Sequence, residues 1–225
     1  MKKIQFKYNL LHILYWSANC AYQGYTAIYL QNKGLLNTEV GLVTGLGCIL
    51  TIVVSPFITS LPQRFQYLTI HRLFDIALIC SFTIFLFISY VPLPGAAIMV
   101  CYTLMLCIFT SMVPFLSLIA TDYIRRGAEL NFGLSRGRGS VSYAVSAVLL
   151  GQCVTSFNPD ILAVMAFIFS NVFLAVLHHM PQNETFHQEH ASKGNLLFVI
   201  RRYKVLFFSE VSYFEQTKRA VLNKT

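Results

Sequence analysis

Arg136, Ser140 and Tyr143 fall at i, i+4 and i+7, which puts a guanidinium, a hydroxyl and an aromatic ring on one stripe of a helix that starts near Gly133. A guanidinium offers bidentate donors and a ring covers the apolar face of a sugar, so this stripe suits a polyhydroxylated or anionic solute. The competing reading is a packing stripe with an interfacial arginine. Asn19, Tyr22 and Gln23 form a second polar group, suited either to lining a cavity or to joining helices through hydrogen bonds. Asp75, four residues after His71 and three after Arg72, points to a local pair with Arg72. Arg138 is placed to snorkel toward headgroups.

Zinc-hydrolase and metal-cluster signatures are missing. The sequence contains no HExxH and no repeated Glu/His pattern, and neither an enzyme nor a cofactor is expected. His178, His179, His187 and His190, with Glu184 and Glu189, match no ligand spacing and read as a solvated linker. The cysteines, Cys20, Cys48, Cys80, Cys101, Cys107 and Cys153, each lie in an apolar run without CxxC spacing and read as small buried residues. The formal charge of +8 is not accompanied by basic stretches interleaved with aromatics, so nucleic acid is not an expected partner.

The elements that hold these residues follow from hydropathy. Of 225 residues, 56% are apolar or aromatic and 12% are charged, about half the ~25% charge of a soluble domain. A water-soluble globule and a disordered chain are both excluded. A window near twenty residues, long enough to cross about 30 Å of hydrocarbon, marks six spans: Asn9 to Leu30, Glu39 to Ser60, His71 to Val91, Ala96 to Thr121, Arg138 to Phe157 and Asp160 to Met180. With a cytoplasmic N-terminus, every Lys and Arg except Lys33 lies on the inside, which implies an even number of spans and both termini in the cytoplasm. MKKIQFK and the following apolar run have the outline of a signal peptide. Apolar character continues through Ala27, Ile28 and Leu30, which favours a retained first helix.

The expectation is an all-α integral membrane protein with a six-helix bundle over residues 1–180 and a cytoplasmic linker with a basic amphipathic tail over 181–225. Leu196 to Phe208, interrupted by Arg201, Arg202 and Lys204, reads as a helix lying on the cytoplasmic face. Gly41 and Gly45 form a small-residue spacing suited to close helix packing.

The run NFGLSRGRGSVSYAVSAVLLG, Asn131 to Gly151, resembles the start of the fifth helix in major facilitator superfamily permeases of the lactose-permease-like and related symporter groups. Phe132, Gly133, Arg136, Gly139 and Ser140 match their [FY]G-x-x-R-x-x-G-S/C pattern. AYQGYTAIYL is similar to the aromatic-rich end of the family's first helix. SPFITSLPQRF occupies the place of the loop G-x-L-x-D-[RK], but Thr59 stands for the glycine and Gln63 for the aspartate, while Arg64 keeps the basic position. The resemblance covers about Tyr15 to Met180.

The resemblance implies one half of a twelve-helix fold. It also implies secondary transport of a small polar, sugar-like solute, with proton coupling. Arg136 then binds substrate and Tyr143 stacks on the sugar ring. The family's fourth-helix carboxylate falls at Leu118, and Asp122, one turn further on, is the nearby acid able to stand in. Alternating access requires a second six-helix bundle, either a missing half or another copy of this chain. A truncated transporter is the leading expectation, with a half-size homodimer or a non-transporting membrane scaffold or receptor as alternatives. The expected location is the cell membrane, of the bacterial inner-membrane kind, in contact with lipid.

Overall fold

Tyr8, Tyr15, Tyr22 and Tyr29 recur at intervals of seven residues, so on a helix they form one nearly straight stripe. In the computed structural model, which describes residues 2–65 and 67–180, all four are buried, and they join the first helical rod to the rest of the bundle. That rod consists of α1 (Lys2–Asn19), a π turn (Cys20–Gly24) and α2 (Thr26–Asn32). The Tyr8 hydroxyl donates to the Leu116 carbonyl at 2.8 Å, and the Tyr15 hydroxyl to the Phe109 carbonyl at 2.9 Å. Tyr22 meets Ser170 at 3.5 Å and Tyr29 meets Ser89 at 2.8 Å. Tyr15 also stacks on Phe109, with centroids 5.0 Å apart and planes 9° from parallel.

The remaining elements are α3 (Asn37–Arg64), α4 (Ile70–Tyr90), α5 (Gly95–Thr110), α6 (Val113–Arg125), α7 (Phe132–Ser156) and α8 (Ile161–His178), and no strand occurs among the described residues. α1 packs on α7 and α8, α8 on α4, α4 on α5, and α5 on α3. Directions follow from the paired residues. Along α1 the partners in α5 and α6 run backwards, Leu116 then Phe109, so those helices are antiparallel to it. Partners in α7 run forwards, from Ser135 to Ser146, so α7 is parallel to α1. Lys7 donates to the His179 carbonyl at 2.6 Å, which brings the start of α1 and the end of α8 to one end of the bundle. Lys33 pairs with Asp160 at 2.9 Å and donates to the Ser89 carbonyl at 2.9 Å at the other end.

Several sequence expectations are adjusted. The first helix begins at Lys2 and the fifth segment at Phe132, both earlier than the hydropathy window places them, because polar residues continue a helix beyond its apolar part. The fourth segment is broken at Ser111 and Met112 between α5 and α6. Pro114 begins the next helix, where its missing N–H costs nothing. Asp75 pairs with His178 on α8 at 2.9 Å and not with Arg72, which donates to the Tyr67 carbonyl at 2.6 Å. Four helical stretches are long and apolar enough to cross a membrane: Asn37–Pro62, Ile70–Tyr90, Gly95–Arg125 and Ile161–His178. The expected linker and amphipathic tail over 181–225 lie outside the described residues.

Replacing Tyr8, Tyr15, Tyr22 and Tyr29 together by Phe keeps the rings and removes the four hydroxyl contacts. At ~0.6 kcal/mol for each interhelical hydrogen bond in a membrane protein, the expected loss is about 2 kcal/mol. Tyr15→Ala alone removes a buried ring and is expected to cost more, about 3–5 kcal/mol. Unfolding in mild detergent measures both, and a Tyr15→Ala cost no larger than that of Tyr15→Phe would show that ring packing does not hold the rod.

Candidate functional site

The seam between α1 and α7 is polar along its length. Asn131 caps α7, its side-chain oxygen accepting from the Leu134 N–H at 2.9 Å, while its own N–H donates to Gln5 Oε1 at 2.7 Å. Gln5 Nε2 donates to Asn9 Oδ1 at 2.7 Å and to Ser135 Oγ at 3.0 Å, and Ser135 Oγ donates to Asn9 Oδ1 at 2.6 Å. Above this knot the Ser142 hydroxyl reaches the Ile13 carbonyl at 3.1 Å, Ser146 meets Ser17 at 2.9 Å, and Tyr25 donates to the Ala147 carbonyl. Where water is excluded, such groups must find partners within the protein, so this ladder sets the register of α7 against α1.

Three glycines let the rods approach. At Gly139 a Cβ would overlap Cδ1 of Trp16 and lie 2.9 Å from its Nε1; at Gly24 it would lie 2.9 Å from the Tyr143 hydroxyl, and at Gly151 2.8 Å from the Tyr25 hydroxyl. Gly139 belongs to the α7 pattern quoted above, and here its role is to receive an indole ring.

Beside the seam lies a face built from both rods. His12, Trp16, Asn19 and Gln23, at i, i+4, i+7 and i+11, come from the first rod, and Arg136, Ser140 and Tyr143 come from α7. The α7 helix starts at Phe132, which meets the condition for the last three to share a stripe. Arg136 and Ser140 are exposed, with Ser140 Oγ donating to the Arg136 carbonyl at 3.4 Å. Tyr143 is half-buried, its ring centroid 6.5 Å from that of Trp16. Asn19 Nδ2 donates to Gln23 Oε1 at 3.4 Å, and Gln23 is exposed. The His12 ring packs edge-on against Phe132, with centroids 5.9 Å apart.

The π turn falls at the Gln23 end of this face, beside Tyr143. One extra residue in the turn displaces carbonyls from the regular α pattern, a feature frequent at functional sites. The Tyr22 carbonyl in the turn accepts from the Tyr102 hydroxyl at 2.9 Å, and that hydroxyl also reaches Thr26 Oγ1 at 3.2 Å.

His12 and Trp16 were not singled out by sequence. His12 Nε2 lies 3.0 Å from the Tyr8 hydroxyl, while His12 Nδ1 and Trp16 Nε1 are buried without a hydrogen-bond partner. The signal that marks them is their spacing of seven and three residues before Asn19 on the same stripe.

Two other expected residues stand apart. Tyr22 turns toward the core, fully buried, with its centroid 4.5 Å from that of Phe109 and 5.6 Å from that of Phe85. It therefore joins helices in this conformation instead of lining the face. Asp122, near the end of α6, pairs with Arg126 at 3.1 Å. Among the described residues no group of three His, Cys, Asp or Glu side chains is arranged to hold a metal ion.

A protein-family model described as the MFS_1 like family matches residues 5–224. No curated protein and no solved structure matches the chain.

Gly139→Leu is expected to push Trp16 off α7 and loosen the seam, while Gly139→Leu combined with Trp16→Ala should recover part of the lost stability, since the cavity left by the indole accepts the leucine. The chain has a single tryptophan, so the emission of Trp16 reports the displacement directly. Additive losses in the double variant would show that the two residues do not share a notch.

Proposed function

The chain belongs to the MFS_1 like family, and on that premise we propose that it forms a six-crossing bundle of a secondary transporter for a small polar, sugar-like solute. The face of α1 and α7 is one wall of the solute site. The start of α1 and the end of α8, which share one end of the bundle, lie on the cytoplasmic side, and the bundle resides in the cell membrane. Proton coupling is carried over from the resemblance of the α7 run to the symporter groups.

One observation supports this reading most. The four stretches apolar enough to cross a membrane do not include the first rod or α7, and these two rods pack together and present the exposed Gln23, Arg136 and Ser140 side chains. An arginine in hydrocarbon costs ~2.5–3.5 kcal/mol near the bilayer centre on insertion scales, so such a residue belongs at a water-filled cleft or a protein surface. A second bundle facing this wall completes the cleft, and rocking of one bundle against the other opens it to alternate sides. The polar ladder keeps α1 and α7 moving together during that motion.

In the cleft the Arg136 guanidinium presents its planar fork of donors to hydroxyl or anionic oxygens. Tyr143, held against Trp16 and Gly24, offers a ring to the apolar face of a sugar. The side chains of Asn19, Gln23 and Ser140 add donors and acceptors that orient the solute. Tyr22 serves packing, and Asp122 remains in its pair with Arg126 at the end of α6.

Uptake of labelled mono- and disaccharides into vesicles containing the complete assembly, with and without an inward proton gradient, tests the proposal. Arg136→Gln should abolish accumulation, and Arg136→Lys should not restore it, because a point ammonium lacks the fork. Tyr143→Phe should retain most binding, while Tyr143→Ala should weaken it by ~1–2 kcal/mol through loss of stacking. Equal affinity of the two Tyr143 variants would remove the stacking role. Binding without flux in a competent assembly would instead favour a receptor or scaffold.

A further inference from the structure

A groove of about 720 Å³ opens between α1 and α8. From α1 it takes Lys3, Phe6, Lys7 and Leu10, and from α8 it takes Val172, Ala175, Val176 and His179. Each set has the spacing i, i+3, i+4, i+7, one stripe of a helix. The rods are antiparallel, so chemistry sorts along the groove's length. Lys3, Lys7 and His179 stand at the end where α1 begins, while Leu10 and Val172 lie deeper.

We propose that this groove binds an anionic phospholipid, with an acyl chain along the Phe6, Leu10, Val172 and Val176 walls and the phosphate between Lys3 and Lys7. Lys7 is already placed for this. Its ammonium donates to the His179 carbonyl at 2.6 Å, at the carbonyl end of α8, and its other two N–H groups remain for phosphate oxygens. Among the described residues, none of the ion pairs engages Lys3 or Lys7. Phe6 is 66% exposed, a large apolar ring with no protein covering it among the described residues. The volume falls in the ~300–1,000 Å³ range of small-molecule sites.

Charge selects the occupant. Basic pockets between helices beside the membrane surface attract anionic headgroups. The chain's own apolar segment at 196–208 is a poorer fit, because Arg201, Arg202 and Lys204 would bring like charge to the two lysines. The inference needs only that the chain is a membrane protein and does not depend on the solute site.

Native mass spectrometry of the full chain, released from micelles with equimolar dioleoyl phosphatidylglycerol and dioleoyl phosphatidylcholine, provides the test. Preferential retention of phosphatidylglycerol is expected, falling about fivefold for each lysine removed in Lys3→Gln with Lys7→Gln. The control pair Arg64→Gln with Arg125→Gln should leave retention unchanged. Ala175→Trp, which fills the groove and keeps every charge, should also lower retention. Glycerol 3-phosphate, the headgroup without chains, should not compete.

Equal retention of the two lipids, or an equal effect of the control pair, would overturn the proposal. Indifference to Ala175→Trp would reduce it to general surface attraction. Competition by glycerol 3-phosphate would make it a phosphate site and not a lipid site. Cross-linking of Phe6→Cys to the 196–208 segment, with lipid retention unaffected by the lysines, would assign the groove to the tail.

Discussion

A helix in hydrocarbon can carry polar side chains only if they meet polar partners on neighbouring helices or face water. The first rod takes this constraint further than any other element described. One side presents four tyrosines to α4, α5, α6 and α8, with each ring buried and each hydroxyl placed against another helix. An adjacent side presents Gln5, Asn9 and Ser17 to the serines of α7. The rod is the post on which the bundle is assembled, and the π turn at its middle is held by Tyr102 from α5.

That arrangement explains why the candidate site lies where it does. The hydrogen-bond ladder and the Gly139 notch bring α7 close to α1, so residues one helical position away from the seam on each rod converge on a common face. His12, Trp16, Asn19 and Gln23 meet Arg136, Ser140 and Tyr143 there. The face is buried on its protein side, at His12 and Asn19, and open at Gln23, Arg136 and Ser140 on the other. The paired charges lie toward the ends of the bundle. Lys33 with Asp160 fastens one end, and Asp75 with His178 fastens α4 to α8 at the other.

Much of the helical architecture was legible from hydropathy because apolar runs of span length, punctuated by Pro92, Gly95 and Asn158, leave few alternatives. The helix breaks were less legible. The π turn has no strong local signature, and it persists through a hydrogen bond from a residue 80 positions away in sequence. The pairing of Asp75 with His178 spans 103 positions, whereas Arg72 was the visible neighbour. Tyr22 could have been placed from sequence, since the seven-residue tyrosine period assigns it to the core stripe and separates it from Asn19 and Gln23. The stripe of Arg136, Ser140 and Tyr143 was legible because it needed only a helix start, which Asn131 supplies by capping. His12 and Trp16 were harder to find, because their spacing before Asn19 gains meaning only once contact with α7 defines the face.

Trp16 stands on the proposed wall and is the only tryptophan in the chain, so its fluorescence gives the most direct test of the central claim that the α1 and α7 face binds solute. Emission and iodide quenching would be recorded in the complete assembly while a panel of mono- and disaccharides is titrated. A saturable emission change and reduced quenching with one of these sugars, both lost in Arg136→Gln, is the predicted result. A sugar that the assembly transports but that leaves Trp16 emission and quenching unchanged at saturation would place the solute elsewhere and contradict the account.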